Sequence, residues 1–291
     1  MRRLLTAVAA LLSFSVVPAH AITGTNWVDD FEHPYVGLVA FYDKAGEFVW
    51  RCSGSLIGPR TLLTAGHCTD NLAGAGAVTA RVWFQQDAGA NFNGVEDPFT
   101  GYPNTCAGKT LGSLCATSDE LYNYGFNNFA GFPNTRDAGL VILDQRISMP
   151  EYGQLPAAGT LDGLDTARGT RNTVFTVSGY GLTRSNNPNS PNPNISLRSR
   201  LMGVASLVNL NSSLNGGFNI QTQGNGNGRS GTCSGDSGGP VFLGQTSSNL
   251  IAAVTSFGLN ALCRGTDFGY RIDRQEVLDW INANRAREER Q

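Results

Sequence analysis

Short apolar or alternating runs, separated by clusters of Gly, Asn, Ser, Thr and Pro, recur along nearly the whole chain. Residues 35–42, 47–57, 77–84, 140–143, 173–178, 197–208, 240–243 and 250–257 are short, carry no sustained helical period, and are bounded by turn formers, so they read as strands. One segment alone, residues 273–286, has helical spacing. Asp273 stands as a capping acid with Glu276 three positions on, and Val277, Leu278, Trp280 and Ile281 share one face. The fold class expected is therefore all-β with a single carboxy-terminal helix.

The compartment is legible at the amino terminus. Arg2 and Arg3 precede an apolar stretch that ends at Ala19-His20-Ala21, the pattern of a secretory signal peptide over residues 1–21. That stretch is shorter than the roughly 20 residues a spanning helix needs, and no later segment is long and apolar enough to anchor the chain. A secreted product follows, extracellular, or periplasmic in a host with an outer membrane, with no membrane association after processing. All six cysteines lie beyond residue 21, as three disulfides in an oxidising compartment require. Loss of Arg2 and Arg3 leaves acids in excess of bases by four, which excludes nucleic acid as a partner.

Three short segments carry chemistry. Thr232-Cys233-Ser234-Gly235-Asp236-Ser237-Gly238-Gly239-Pro240 sets a serine hydroxyl on a tight glycine-rich turn. An unassisted hydroxyl is a poor nucleophile near neutral pH, so Ser237 needs a base and a group to orient that base. Beyond residue 21 the chain keeps two histidines, His33 and His67. His33 precedes Pro34 and reads as a surface turn residue, which leaves His67, in Thr64-Ala65-Gly66-His67-Cys68, as the base. Asp137 heads the apolar run Ala138-Gly139-Leu140-Val141-Ile142-Leu143, where small neighbours let an imidazole approach its carboxylate. The glycines beside Ser237 allow the backbone to present the N–H groups of Gly235 and Ser237 to an oxyanion.

In this order and with these neighbours, the three segments resemble those of the chymotrypsin-like (trypsin-fold) serine endopeptidases. The resemblance implies two six-stranded antiparallel β-barrels, about residues 22–150 and 151–272, with the helix of about 273–286 packed on the second. It implies a catalytic triad of His67, Asp137 and Ser237 with an oxyanion hole at Gly235 and Ser237. It pairs Cys52 with Cys68 and Cys233 with Cys263; Cys106 and Cys115, nine positions apart in a Gly/Asn-rich stretch, most simply close a local loop. It also implies a monomer acting on polypeptide substrates, with protein inhibitors as a second class of partner and no cofactor.

Ile22 follows the signal segment directly and stands at the family's mature start, although Thr23-Gly24-Thr25 departs from the usual Val-Gly-Gly. The resemblance then implies an ion pair between the freed Ile22 amine and Asp236, so that signal removal by itself would create the activating terminus. For substrate binding it places Gly231 at the base of the primary pocket, Thr232 along it, and Ser256, Phe257 and Gly258 on the edge that pairs with substrate backbone. The aspartate of trypsins is absent at Gly231. Aligning Tyr270-Arg271-Ile272 brings Asp267 onto the pocket wall, where it would meet a basic side chain or make a mixed pocket; a register shifted by one or two makes it an exposed loop acid.

Three other classes fit the sequence less well. Zinc is disfavoured because no Cys-x-x-Cys pair accompanies His67, so no metal is expected. Gly235-Asp236-Ser237-Gly238-Gly239 also spells the G-x-S-x-G of esterases on a different fold, but there the histidine follows the serine, and His67 precedes it. A catalytically silent protease-fold binding protein is the remaining alternative, against which stand the full set of triad residues and the oxyanion glycines.

Overall fold

The structure is a computed structural model that describes residues 22–71, 76–88, 102, 106, 114–164, 172–183, 198–224, 228–259 and 263–290. The signal segment and the Asn/Pro-rich stretch 186–194 lie outside the described residues. Sixteen strands are present among the described residues: β1 (Thr23–Gly24), β2 (Asn26–Val28), β3 (Val36–Tyr42), β4 (Phe48–Leu56), β5 (Thr61–Thr64), β6 (Thr79–Trp83), β7 (Cys115–Ser118), β8 (Glu120–Asn123), β9 (Gly139–Ile142), β10 (Val174–Gly179), β11 (Leu201–Asn209), β12 (Asn219–Gln223), β13 (Ser230–Gly231), β14 (Pro240–Leu243), β15 (Ile251–Gly258) and β16 (Thr266–Arg271). The helix α1 spans Gln275–Asn284.

Two antiparallel sheets curl into barrels. The first runs β7-β6-β3-β4-β5-β9-β8. Only Asp119 separates β7 from β8, so they act as one bent strand that pairs with β6 at its start and β9 at its end. That bend brings the two edges of the sheet together and makes six strands in effect. The second sheet runs β10-β14-β15-β16-β12-β11 and closes through β10 pairing with β11. Closure leaves no long edge to pair with another chain. Leu38, Phe41, Leu62, Val82, Trp83 and Leu140 fill the first barrel, and Phe175, Leu207, Ile220 and Ala253 the second.

Three expectations are corrected here. The amino-terminal segment does not belong wholly with the first barrel: β1 pairs with β13 and β2 with β11, so residues 23–28 extend the second. Asp273 does not cap the helix. Arg274 is the N-cap and makes no side-chain cap bond, whereas the buried Asp273 carboxylate accepts from Arg271 Nε and Nη2 and from the Leu161 amide. A buried acid gains more from a two-pronged guanidinium than from one exposed amide.

The helix shares an apolar cluster with residues of both barrels, Ile251, Tyr270 and Ile272 of the second among them. Val277, Leu278 and Ile281 are buried in the same apolar cluster as first-barrel residues. Beyond the helix Arg285 Nη2 donates to Ile57 O, and the Ala286 amide to Thr61 Oγ1. Burying each large apolar side chain is worth about 1.5–3 kcal/mol, so this face ties the two barrels together. His33, expected at the surface, is fully buried. Its ring stacks on Phe242 with centroids 4.4 Å apart, Nδ1 bonds Asp29 Oδ2 at 2.9 Å, and Nε2 bonds Ser248 O at 3.0 Å. Pro34 lies within a turn closed by the Val36 amide on His33 O, but Asp29, four residues earlier, supplies the partner that offsets burial of the ring.

Three disulfides are present: Cys52–Cys68, Cys106–Cys115 and Cys233–Cys263. The first closes a loop 16 residues long around the His67 segment, a constraint worth about 3 kcal/mol in the chain-entropy picture.

Candidate active site

The site lies where the barrels meet. β5 ends at Thr64 and delivers the turn that carries His67; Asp137 lies just before β9, which pairs with β5. The carboxylate of Asp137 is fully buried and accepts from the His67 amide at 2.7 Å and from its ring Nδ1 at 2.9 and 3.1 Å. Ser256 Oγ donates to the same carboxylate. A bulge explains this: Thr255 pairs with Gly269 and Phe257 with Phe268, so Ser256 is the extra residue whose side chain is re-aimed across to Asp137.

With Nδ1–H donating to Asp137, His67 Nε2 is left as the acceptor. Burial disfavours the imidazolium, but the charge and hydrogen bond of Asp137, with Asp70 adding, outweigh it and raise the His67 pKa. Its side chain remains one-quarter exposed, against none for Asp137.

The serine turn docks on the same surface. Ser53 on β4 receives it twice, through its amide to Ser237 O at 2.8 Å and its Oγ to Gly235 O at 2.8 Å. Gly238 packs so closely on Thr64 and Ala65 that a Cβ there would fall 2.0 Å from Thr64 Oγ1, and its φ of +75° is a second reason for glycine. Asp236, Gly238 and Gly239 donate their amides to Cys233 O, Thr255 O and Asp236 O. Among the described residues the amides of Gly235 and Ser237 donate to no acceptor, and no hydrogen bond joins the Ser237 hydroxyl to the His67 ring. In resting enzymes such a contact is often long and tightens around substrate.

Beside Ser237 a pocket is lined by Thr232, Ser256, Phe257, Gly258, Arg264 and Asp267, among others. Asp267 is in β16, opposite Thr222 and Gly258, and is nearly buried. The exposed-loop reading is thereby excluded. Its Oδ2 accepts from the Thr232 amide at 2.8 Å, and burial, partly offset by Thr232, pushes its pKa up to about 6. Gly231, expected at the base of this pocket, is not among the residues that line it and pairs with Thr23. Arg264 in this pocket and the Ser256 bond to Asp137 were not found from sequence, since neither has a local pattern.

Asp236 is fully buried and accepts from the Gly181 amide at 2.7 Å and the Cys233 amide at 2.9 Å. Burial pushes its carboxyl up to about 7, opposed by those amides and by the charge of Arg51. Ile22 is also buried, with φ of +60°, and its side chain lies near Gly203. In the unprocessed chain its nitrogen is a peptide amide, and among the described residues no hydrogen bond joins it to Asp236.

The model of the trypsin family matches residues 22–111 and 118–281. The chain therefore belongs to the trypsin family of serine endopeptidases. It is similar to brachyurin of Leptuca pugilator, 32% identical over 237 residues that cover 79% of this chain and 85% of the other. It is 25% identical to chymotrypsin-like elastase family member 1 of Felis catus, over 83% of this chain and 81% of that one. Among solved structures it shares its fold with HL collagenase, at TM-score 0.59 and 20% identity, covering 89% and 98% of the two chains. Human heparin binding protein aligns at TM-score 0.57 and 20% identity, covering 90% and 96%.

Proposed function

We propose that the protein is a secreted endopeptidase that works through an acyl-enzyme on Ser237. Ser237 Oγ attacks the scissile carbonyl carbon while its proton passes to His67 Nε2, and Asp137 holds the ring and stabilises the imidazolium. The oxyanion is held by the amides of Gly235 and Ser237. His67 Nε2–H then gives its proton to the leaving amine, and water reverses the sequence to release the acyl group. The observation that carries this reading is the pairing of a buried, doubly anchored His67–Asp137 couple with a serine turn whose Gly235 and Ser237 amides meet no protein acceptor.

Asp267 gives the primary pocket a mixed character, open to basic side chains when ionised and to others when neutral. Signal removal at Ile22 supplies the ammonium that pairs with Asp236. The φ of +60° supports this, because a β-branched residue is strained there and cleavage of the preceding peptide bond removes the constraint. Family membership and the three disulfides support export.

The test is cleavage of a diverse unmodified peptide library by the purified processed protein beside Ser237→Ala, with products and the amino terminus identified by mass. Cuts lost in the variant support the reading. Equal silence of the two proteins, with Ile22 at the terminus, would assign the scaffold to binding instead.

A further inference from the structure

A second depression flanks the Ser234–Gly235 turn on the side away from the primary pocket. Phe48, Trp50, Arg51 and Leu182 line it together with Ser234 and Gly235, and no acidic residue does. Ser234 borders both depressions, so the turn is the ridge between them. A peptide whose carbonyl oxygen points at the amides of Gly235 and Ser237, and whose preceding side chain fills the primary pocket, must carry its leaving-group residues over this ridge.

Arg51 holds the floor of that depression. Its guanidinium lies against Gly235, where a Cβ would fall 2.8 Å from Nη1, so the absence of a side chain at Gly235 gives it room. Nη1 donates to Tyr180 O, and Cζ stands 6.0 Å from the centre of the Tyr102 ring. Among the described residues Nε and Nη2 donate to nothing, and no carboxylate lies within ion-pair distance. The charge of Asp236 acts on it, but the oxygens of Asp236 already accept from Gly181 and Cys233. A half-buried fork of free N–H groups between apolar walls matches an oxyanion, and in an unmodified peptide that is a carboxylate.

We propose that Arg51 selects a carboxylate on the leaving-group side of the scissile bond, within the first two residues after it. This rests on the endopeptidase reading of the Ser237 site. Two sources share the chemistry: an Asp or Glu side chain, or the α-carboxylate of a substrate that ends there.

The test uses amidated peptides with one cleavable bond and Ala, Asp or Lys at each of the two positions after it, plus all-Ala peptides that end there as free acids. kcat/KM ratios are measured within each of the wild type, Arg51→Gln and Arg51→Glu, so a general loss of activity cancels. The expected result is an Asp-over-Ala preference of about tenfold in the wild type, roughly the size of one charge-assisted bond, shrinking with added salt. Arg51→Gln should abolish it and Arg51→Glu should invert it toward Lys. Preference for the free acids over the internal Asp peptides identifies the α-carboxylate as the source. The inference is overturned if the wild type cleaves the series without preference, or if the preference survives in Arg51→Gln. If the wild type cleaves none of the peptides, the endopeptidase reading falls and takes this one with it.

Discussion

The amide of Thr232 donates to Asp267 Oδ2 at 2.8 Å, inside the pocket beside Ser237. This contact keeps the carboxylate oriented while burial holds its pKa up to about 6. The acid is neutral below that value and charged above it, so its attraction for Arg or Lys must switch on as pH rises. The kcat/KM ratio of an Arg to a Leu substrate should grow about tenfold between pH 5 and 7. His67 titration cancels in that ratio, and Asp267→Asn should flatten it.

For the Asp137 carboxylate, removal of one of its donors is the informative change. A hydrogen bond to a charged group contributes about 1.5–3 kcal/mol, so Ser256→Ala should lower kcat/KM by roughly 10- to 100-fold without unfolding the protein. Because Asp137 raises the His67 pKa and the base must be neutral, the acid limb of the wild-type kcat/KM profile should lie above pH 6.5. Loss of the Ser256 donor leaves Asp137 more available to the ring, so the limb should move further up. An unchanged rate in Ser256→Ala would remove the bulge from the catalytic picture.

A second His–Asp couple serves the fold. Burial works against the Asp29 charge, but the hydrogen bond and charge of His33, with Arg200 and Ser178, more than offset it and lower its pKa. Its contribution to stability is therefore complete above the unfolded value near 3.8 and is lost as pH falls through the lower folded value. Breaking a buried pair by removing one partner costs about 3–5 kcal/mol. His33→Leu should show that loss in urea denaturation at pH 7, and most of the difference from wild type should vanish once Asp29 is protonated.

Processing should remove a pH effect on stability. Before cleavage the buried Asp236, with its pKa near 7, binds a proton that the unfolded chain has already lost above about 3.8. Stability of the unprocessed Ser237→Ala chain should then fall as pH rises from about 4 to 7 and level off above. If the freed Ile22 ammonium pairs with Asp236, the carboxylate stays charged over this range, and that decline should disappear from melting curves of the processed protein. Activity should in turn fall above about pH 8 as the amine loses its proton.

What the sequence by itself determined is local. The Ser237 turn, the His67 loop and the small residues after Asp137 each announce a backbone geometry within a few positions, and the alternation of residues 35–42, 47–57 and 250–257 announces strands by side-chain period alone. Strand β12, Asn219–Gln223, has no apolar run and owes its place to pairing with β11 and β16. Whether Asp267 faced the pocket or the solvent turned on the register of β16 against Thr222 and Gly258, and a one-residue slip reverses every side chain. Beside the local partners Asp29 and Arg271, the places of His33, Asp273 and Arg51 were decided by residues brought from afar: Phe242 and Ser248, Leu161, and Gly235. Those partners are more than a hundred residues away in the chain, and the free energy that assigns each polar group its place, desolvation against a specific bond, exists only once the barrels have closed around it.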